Sequence, residues 1–168
     1  MDRQLEDAVK RFLQRAQQAG MAGELADESE VKKVNEELGG IIPNWYIELV
    51  TTYPICALQF QWQAYPEEDD FDGRSSVFWS RPADILKESR DLYPGAGLIK
   101  DGYFNVACDE DGTGDPYFIN SNEGNNPPLY EVYHERVKDP ETQVGEFDGR
   151  KASERLSAFF DNALFEAS

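Results

Sequence analysis

Apolar residues return every three or four positions at the start of the chain. Leu5, Val9, Phe12, Leu13 and Ala16 fall on one side of a helical repeat, which predicts an amphipathic helix over residues 2–19, stopped by Gly20. Asp27 can cap a second helix whose Val31, Val34 and Leu38 share a face, with Gly39 suited to the left-handed turn that ends it. In Ile41-Ile42-Pro43-Asn44-Trp45-Tyr46-Ile47-Glu48-Leu49-Val50 the proline stands in a first turn, where its missing N–H costs nothing. A third short helix is expected there, ending before Pro54.

From residue 57 the repeat changes from helical to alternating. Ala57-Leu58-Gln59-Phe60-Gln61-Trp62-Gln63-Ala64 predicts a strand whose buried side carries Leu58, Phe60 and Trp62. An acidic loop over 66–73 separates it from a second aromatic strand around Val77, Phe78 and Trp79. Pro82 opens a short helix running to about Arg90. Residues 95–100 lead through the tight-turn pair Asp101-Gly102 into a strand from Tyr103 to Cys108. Leu129-Tyr130-Glu131-Val132-Tyr133-His134 predicts another strand, and the polar, aperiodic stretch 135–149 a loop. Ser153 is expected to cap a last helix carrying Leu156, Phe159, Phe160, Ala163 and Leu164.

Helices at both ends with hairpin-linked strands between them predict an α+β fold: an antiparallel sheet of about five to six strands, flanked by N-terminal helices and a C-terminal helix. The 168 residues contain no internal repeat and no linker, so one domain is expected over 1–168.

Charge changes the picture more than composition does. Thirty-three acidic residues against sixteen basic ones give a formal charge of −17. Such a surface repels nucleic-acid backbones and anionic membranes and favours encounter with a basic protein. The first twenty residues lack the apolar run of a secretory signal, and no apolar stretch approaches the ~20 residues of a membrane span. A cytoplasmic protein is expected, with Cys56 and Cys108 as reduced core residues.

The segment Cys108-Asp109-Glu110-Asp111-Gly112-Thr113-Gly114-Asp115-Pro116-Tyr117-Phe118-Ile119-Asn120 is the strongest candidate for chemistry. Counted as a calcium loop from Asp109, it has oxygen donors and a glycine where that loop needs them, but Asn120 stands where a bidentate Glu is required, and its flanks alternate like strands. A phosphate cradle would need a following helix and a Lys-Ser/Thr pair. What remains is a hairpin turn in which Gly112 and Gly114 supply positive φ and Asp109, Asp111 or Asp115 bonds back to the chain. His134 is the lone histidine, too few for a zinc cluster with two cysteines, and no serine has the setting of a nucleophile elbow. No catalytic residue, metal or cofactor is therefore assigned. The run Glu67-Glu68-Asp69-Asp70 is either a solvated loop or a docking surface flanked by Trp62, Phe71 and Trp79.

Ile42-Pro43-Asn44-Trp45-Tyr46-Ile47-Glu48-Leu49-Val50 resembles the Leu-Pro-x-x-Tyr-x-x-Leu helix of the SUKH superfamily. Asp111-Gly112-Thr113-Gly114-Asp115-Pro116-Tyr117-Phe118-Ile119 is similar to the family's Gly-Asp hairpin, 129–134 to its next strand, and the helix from Ser153 to its closing one. The resemblance spans roughly 27–166, with 1–26 an additional helix. It departs after the first motif helix, where Thr51-Thr52-Tyr53-Pro54 replaces the usual glycine. The family includes a fungal regulator of cell-wall synthesis and many bacterial immunity proteins. The resemblance therefore implies a non-enzymatic domain that binds and neutralises a toxin, often a nuclease. A regulatory module with another protein partner, or a metal- or carboxylate-dependent enzyme, stays open as an alternative.

Overall fold

The computed structural model describes residues 1–109, 115–136 and 140–166. Three helices come first: α1 (Arg3–Gln18), α2 (Glu28–Glu37) and α3 (Asn44–Thr52). Their starts follow the local chemistry. The Asp2 carboxylate accepts from Leu5 N at 2.9 Å and Asp27 from Glu30 N at 3.0 Å, each satisfying one of the free N–H groups of a first turn. Gly20 and Gly39, at φ 75° and 78°, take the left-handed conformation that ends α1 and α2. α1 buries Leu5, Ala8, Val9, Phe12 and Ala16, so the additional N-terminal segment is part of the main core.

The sheet has seven strands: β1 (Gln59–Gln63), β2 (Arg74–Trp79), β3 (Tyr103–Asp109), β4 (Pro116–Asn120), β5 (Leu129–Arg136), β6 (Gln143–Val144) and β7 (Phe147–Ser153). They pair antiparallel throughout in the order β1-β2-β3-β4-β5-β7-β6. The α+β architecture is the expected one, but the expected loop over 135–149 holds the end of β5, a 3₁₀ turn, β6 and the start of β7. Between β2 and β3 lie α4 (Pro82–Leu86), its π-helical continuation Lys87–Asp91, α5 (Gly95–Leu98) and a 3₁₀ turn at Ile99–Asp101. Pro82 occupies the first turn of α4, as its fixed φ favours.

One sheet face carries Phe60, Trp62, Val77, Trp79, Phe104, Tyr117, Ile119 and Leu129 against α1, α3 and α6 (Leu156–Asp161). Aromatic rings join the layers: Phe12 lies 5.0 Å from Phe60, Tyr46 5.2 Å from Phe104, and Trp79 5.0 Å from Phe160, centroid to centroid. The opposite face has a smaller core of Leu98, Phe118, Val132, Val144 and Phe147. α6 starts later than expected. Ser153 ends β7 and donates to the Arg155 carbonyl, while the Asn126 side chain accepts from Ser157 N and so serves the first turn from outside the helix. The chain then leaves the helix, and Leu164 pairs with Gln61 through two backbone bonds of 2.9 and 2.7 Å along the outer edge of β1.

A β-bulge between Asn105 and Ala107 turns Asn105 towards a neutral polar network. Its N–H donates to Ser89 Oγ, its side-chain amide donates to the Ala107 and Tyr117 carbonyls, and its Oδ1 accepts from Ser80 Oγ at 2.6 Å. Asn105, Ser80 and Ser89 are all fully buried, and these bonds tie the π-helical turn to β3.

Candidate functional site

The sheet curls until its distant strands meet. β1 opens the strand order and β7 stands next to last, yet Nη1 of Arg150 on β7 donates to the Ala64 carbonyl, just past β1, at 2.7 Å. The same guanidinium lies 5.1 Å from the Trp62 ring centroid and 4.3 Å from that of Tyr65. This bridges the open end of the main-core face beside α6, whose Phe159 ring lies 5.7 Å from that of Trp62.

Directly across the strand pair from Arg150 stands Glu131, the one charged residue in the buried set of the described residues. Its Oε2 is 3.4 Å from Arg150 Nη2. On β4 its cross-strand partner is Tyr117, whose hydroxyl accepts from Trp62 Nε1 at 2.9 Å. Burial raises the Glu131 carboxyl above the ordinary carboxylate value, and Arg150 acts against that rise. Burial also pushes the hydroxyls of Tyr117 and Tyr133 up, with the Glu131 charge adding to both. Asp115, its side chain 24% exposed, is raised by burial too and sits 3.9 Å from His134 Nδ1. The open end is thus a carboxylate and aromatic wall holding one arginine. Beside it, between the ends of β1 and β2, β7 and α6, is a cavity of about 440 Å³ with Trp62 and Phe159 in its lining and Gln63, Arg74, Ser153 and Asn162 around it.

The acidic loop hangs from the same place. Ala64 N and Tyr65 N both donate to the Gly73 carbonyl, and Gln63 Nε2 donates to the carbonyls of Tyr65 and Asp72. At the tip, Glu68 and Phe71 exchange backbone bonds. Gly73, at φ 75°, is required: a Cβ there would lie 2.1 Å from the Tyr65 carbonyl oxygen. Glu67, Glu68, Asp69 and Asp70 all face solvent, and Tyr65 and Phe71, exposed by 43% and 47%, lie 6.2 Å apart.

Of the residues expected to form a docking surface, Glu67, Glu68, Asp69, Asp70 and Phe71 are exposed on this loop. Trp62 is 8% exposed at the wall of the open end. Trp79 is a correction: it is wholly buried, packed on Phe60 and Phe160, because its position on β2 points into the main core. Of the expected turn, Asp111, Gly112 and Gly114 lie outside the described residues, while β3 and β4 pair on either side as a hairpin requires. Sequence reasoning missed Tyr65, Glu131, Tyr133 and Arg150. The available signal was Glu131, an acid on the strand face otherwise set by Leu129.

Cys56 and Cys108 are free; burial raises their thiols to about 12 and about 11, which keeps both protonated near neutral pH. Among the described residues, no group of three His, Cys, Asp or Glu could hold a metal ion, and no helix is long and apolar enough to cross a membrane. Comparison with protein families, with curated proteins and with solved structures finds no match.

Proposed function

We propose that this chain is a non-enzymatic binding protein that neutralises a basic toxin domain, such as a nuclease, by covering its cationic surface. One observation carries the reading: five exposed carboxylates, Glu67, Glu68, Asp69, Asp70 and Asp72, and two exposed rings share a single loop, held beside the carboxylate and aromatic wall of Asp115, Glu131, Tyr117 and Trp62. Aromatic anchors at the centre of a charged surface are the usual composition of a tight interface, and a charge of −17 steers a cationic partner from a distance. The resemblance to SUKH immunity proteins supports the same role. Two free thiols suit a reducing cytoplasm.

The test is calorimetry and an activity assay with the basic domain encoded beside this gene. Expected are tight binding, loss of the toxin's activity, and association that slows as salt rises. An active toxin left unbound and uninhibited refutes the reading, as does binding indifferent to replacing Glu67, Glu68, Asp69 and Asp70 by their amides.

A further inference from the structure

The acidic loop is well bonded within itself and, through Gln63, to the end of β1, but those bonds hold it only to its own hairpin. Its orientation depends on what joins it to the far strands of the sheet. The described contacts of that kind converge on Tyr65 and Ala64. Arg150 donates to the Ala64 carbonyl and lies against the Tyr65 ring, and the Tyr65 and Tyr133 side chains lie close enough to interact. The guanidinium is seated between two rings, Trp62 from the sheet and Tyr65 from the loop, with the Glu131 carboxylate opposite. A planar cation with several N–H donors can make these contacts at once, whereas an ammonium is a single compact point charge.

We propose that Arg150 is the positioning residue of the docking surface: it latches the 64–73 loop to β7, so that Glu67, Glu68, Asp69 and Asp70 are presented in one fixed orientation. The purpose of the latch rests on the reading of this loop as the docking element, but the latch itself is independent of any partner. Holding the acids in place before encounter removes the ordering cost that a free loop would meet on binding, so the surface suits a rigid, concave cationic cleft. Arg150 would then strengthen binding without touching the partner.

Hydrogen exchange on the free protein tests the latch. Arg150→Met keeps most of the stem and removes the fork. The amides of Ala64, Tyr65, Glu68, Phe71 and Arg74, all hydrogen-bonded within the loop, are expected to exchange about tenfold faster, with β3 and β4 unchanged. Arg150→Lys keeps the charge and should give an intermediate rate; it also supplies the reading if the methionine variant does not fold. Unchanged loop exchange overturns the proposal. So does a rise spread evenly over loop, β3 and β4, which would make Arg150 a general support of the fold. A loosened loop in a protein that binds no basic domain refutes the proposed function and leaves the latch standing.

Discussion

Two polar clusters are buried on opposite faces of one sheet. The Asn105 cluster is neutral: amide, hydroxyl and backbone groups meet one another at 2.6 to 3.2 Å, and Asn105 is sealed from solvent. The Arg150 cluster is charged and half open. Its ion pair is 3.4 Å long, its arginine side chain is 29% exposed, and the arginine Nε is buried with no partner among the described residues. Full satisfaction makes a polar cluster a structural fixture, whereas charge held with incomplete bonding marks a place kept for another purpose.

The sharpest way to break this comparison is Asn105→Ala. It strips Ser80 Oγ and two carbonyls of their partner in a sealed site, and should lower unfolding stability by about 3 kcal/mol in urea titration. Arg150→Met should cost far less, about 0.5 kcal/mol, because the guanidinium already borders solvent and its contacts hold a loop outside the core. If the two losses were equal, the clusters would be the same kind of object.

Glu131→Gln should act in the opposite direction. Burial favours the protonated carboxyl, so the folded pKa lies above the unfolded one. That contribution to stability is complete below the ordinary value of 4.5 and is lost as pH rises through the raised value. The amide variant should therefore match the wild type at low pH and be the more stable at neutral pH, as urea midpoints at both conditions would show. The smallest effect on stability is expected from replacing Glu67, Glu68, Asp69 and Asp70 by their amides, within about 0.5 kcal/mol. Stopped-flow association with a basic partner should nonetheless slow and lose much of its salt dependence.

Most of the fold was legible because its repeats are strong. The glutamine alternation marks β1, Gly20 ends α1, and the cap at Asp27 with the left-handed Gly39 bounds α2. β7 was hidden because its apolar inward residues, Phe147 and Ala152, are interrupted by Gly149 and Arg150. Gly149 is there since a Cβ would lie 2.6 Å from the Glu131 carbonyl oxygen, and Arg150 fills the space a large apolar side chain would otherwise take. The candidate site was half legible for a related reason. The loop acids show in composition, but Ala64 and Arg150 are eighty-six positions apart, and no local pattern encodes the curl that joins them. Trp79 was misplaced because an aromatic residue near an acidic loop reads the same on either side of a strand, and register alone decides which way it faces.

Leu164 gives the C-terminal segment a part in solubility. Its two backbone bonds to Gln61 occupy the outer edge of β1, the kind of open ladder on which a second chain can extend a sheet. A chain cut before Ala163 bares that ladder beside Phe60 and removes the carbonyl that Arg15 of α1 holds. Such a chain should self-associate edge to edge despite its large negative charge, visible as concentration-dependent growth in light scattering. The tail is then a guard against polymerisation, and it is held shut from the first helix.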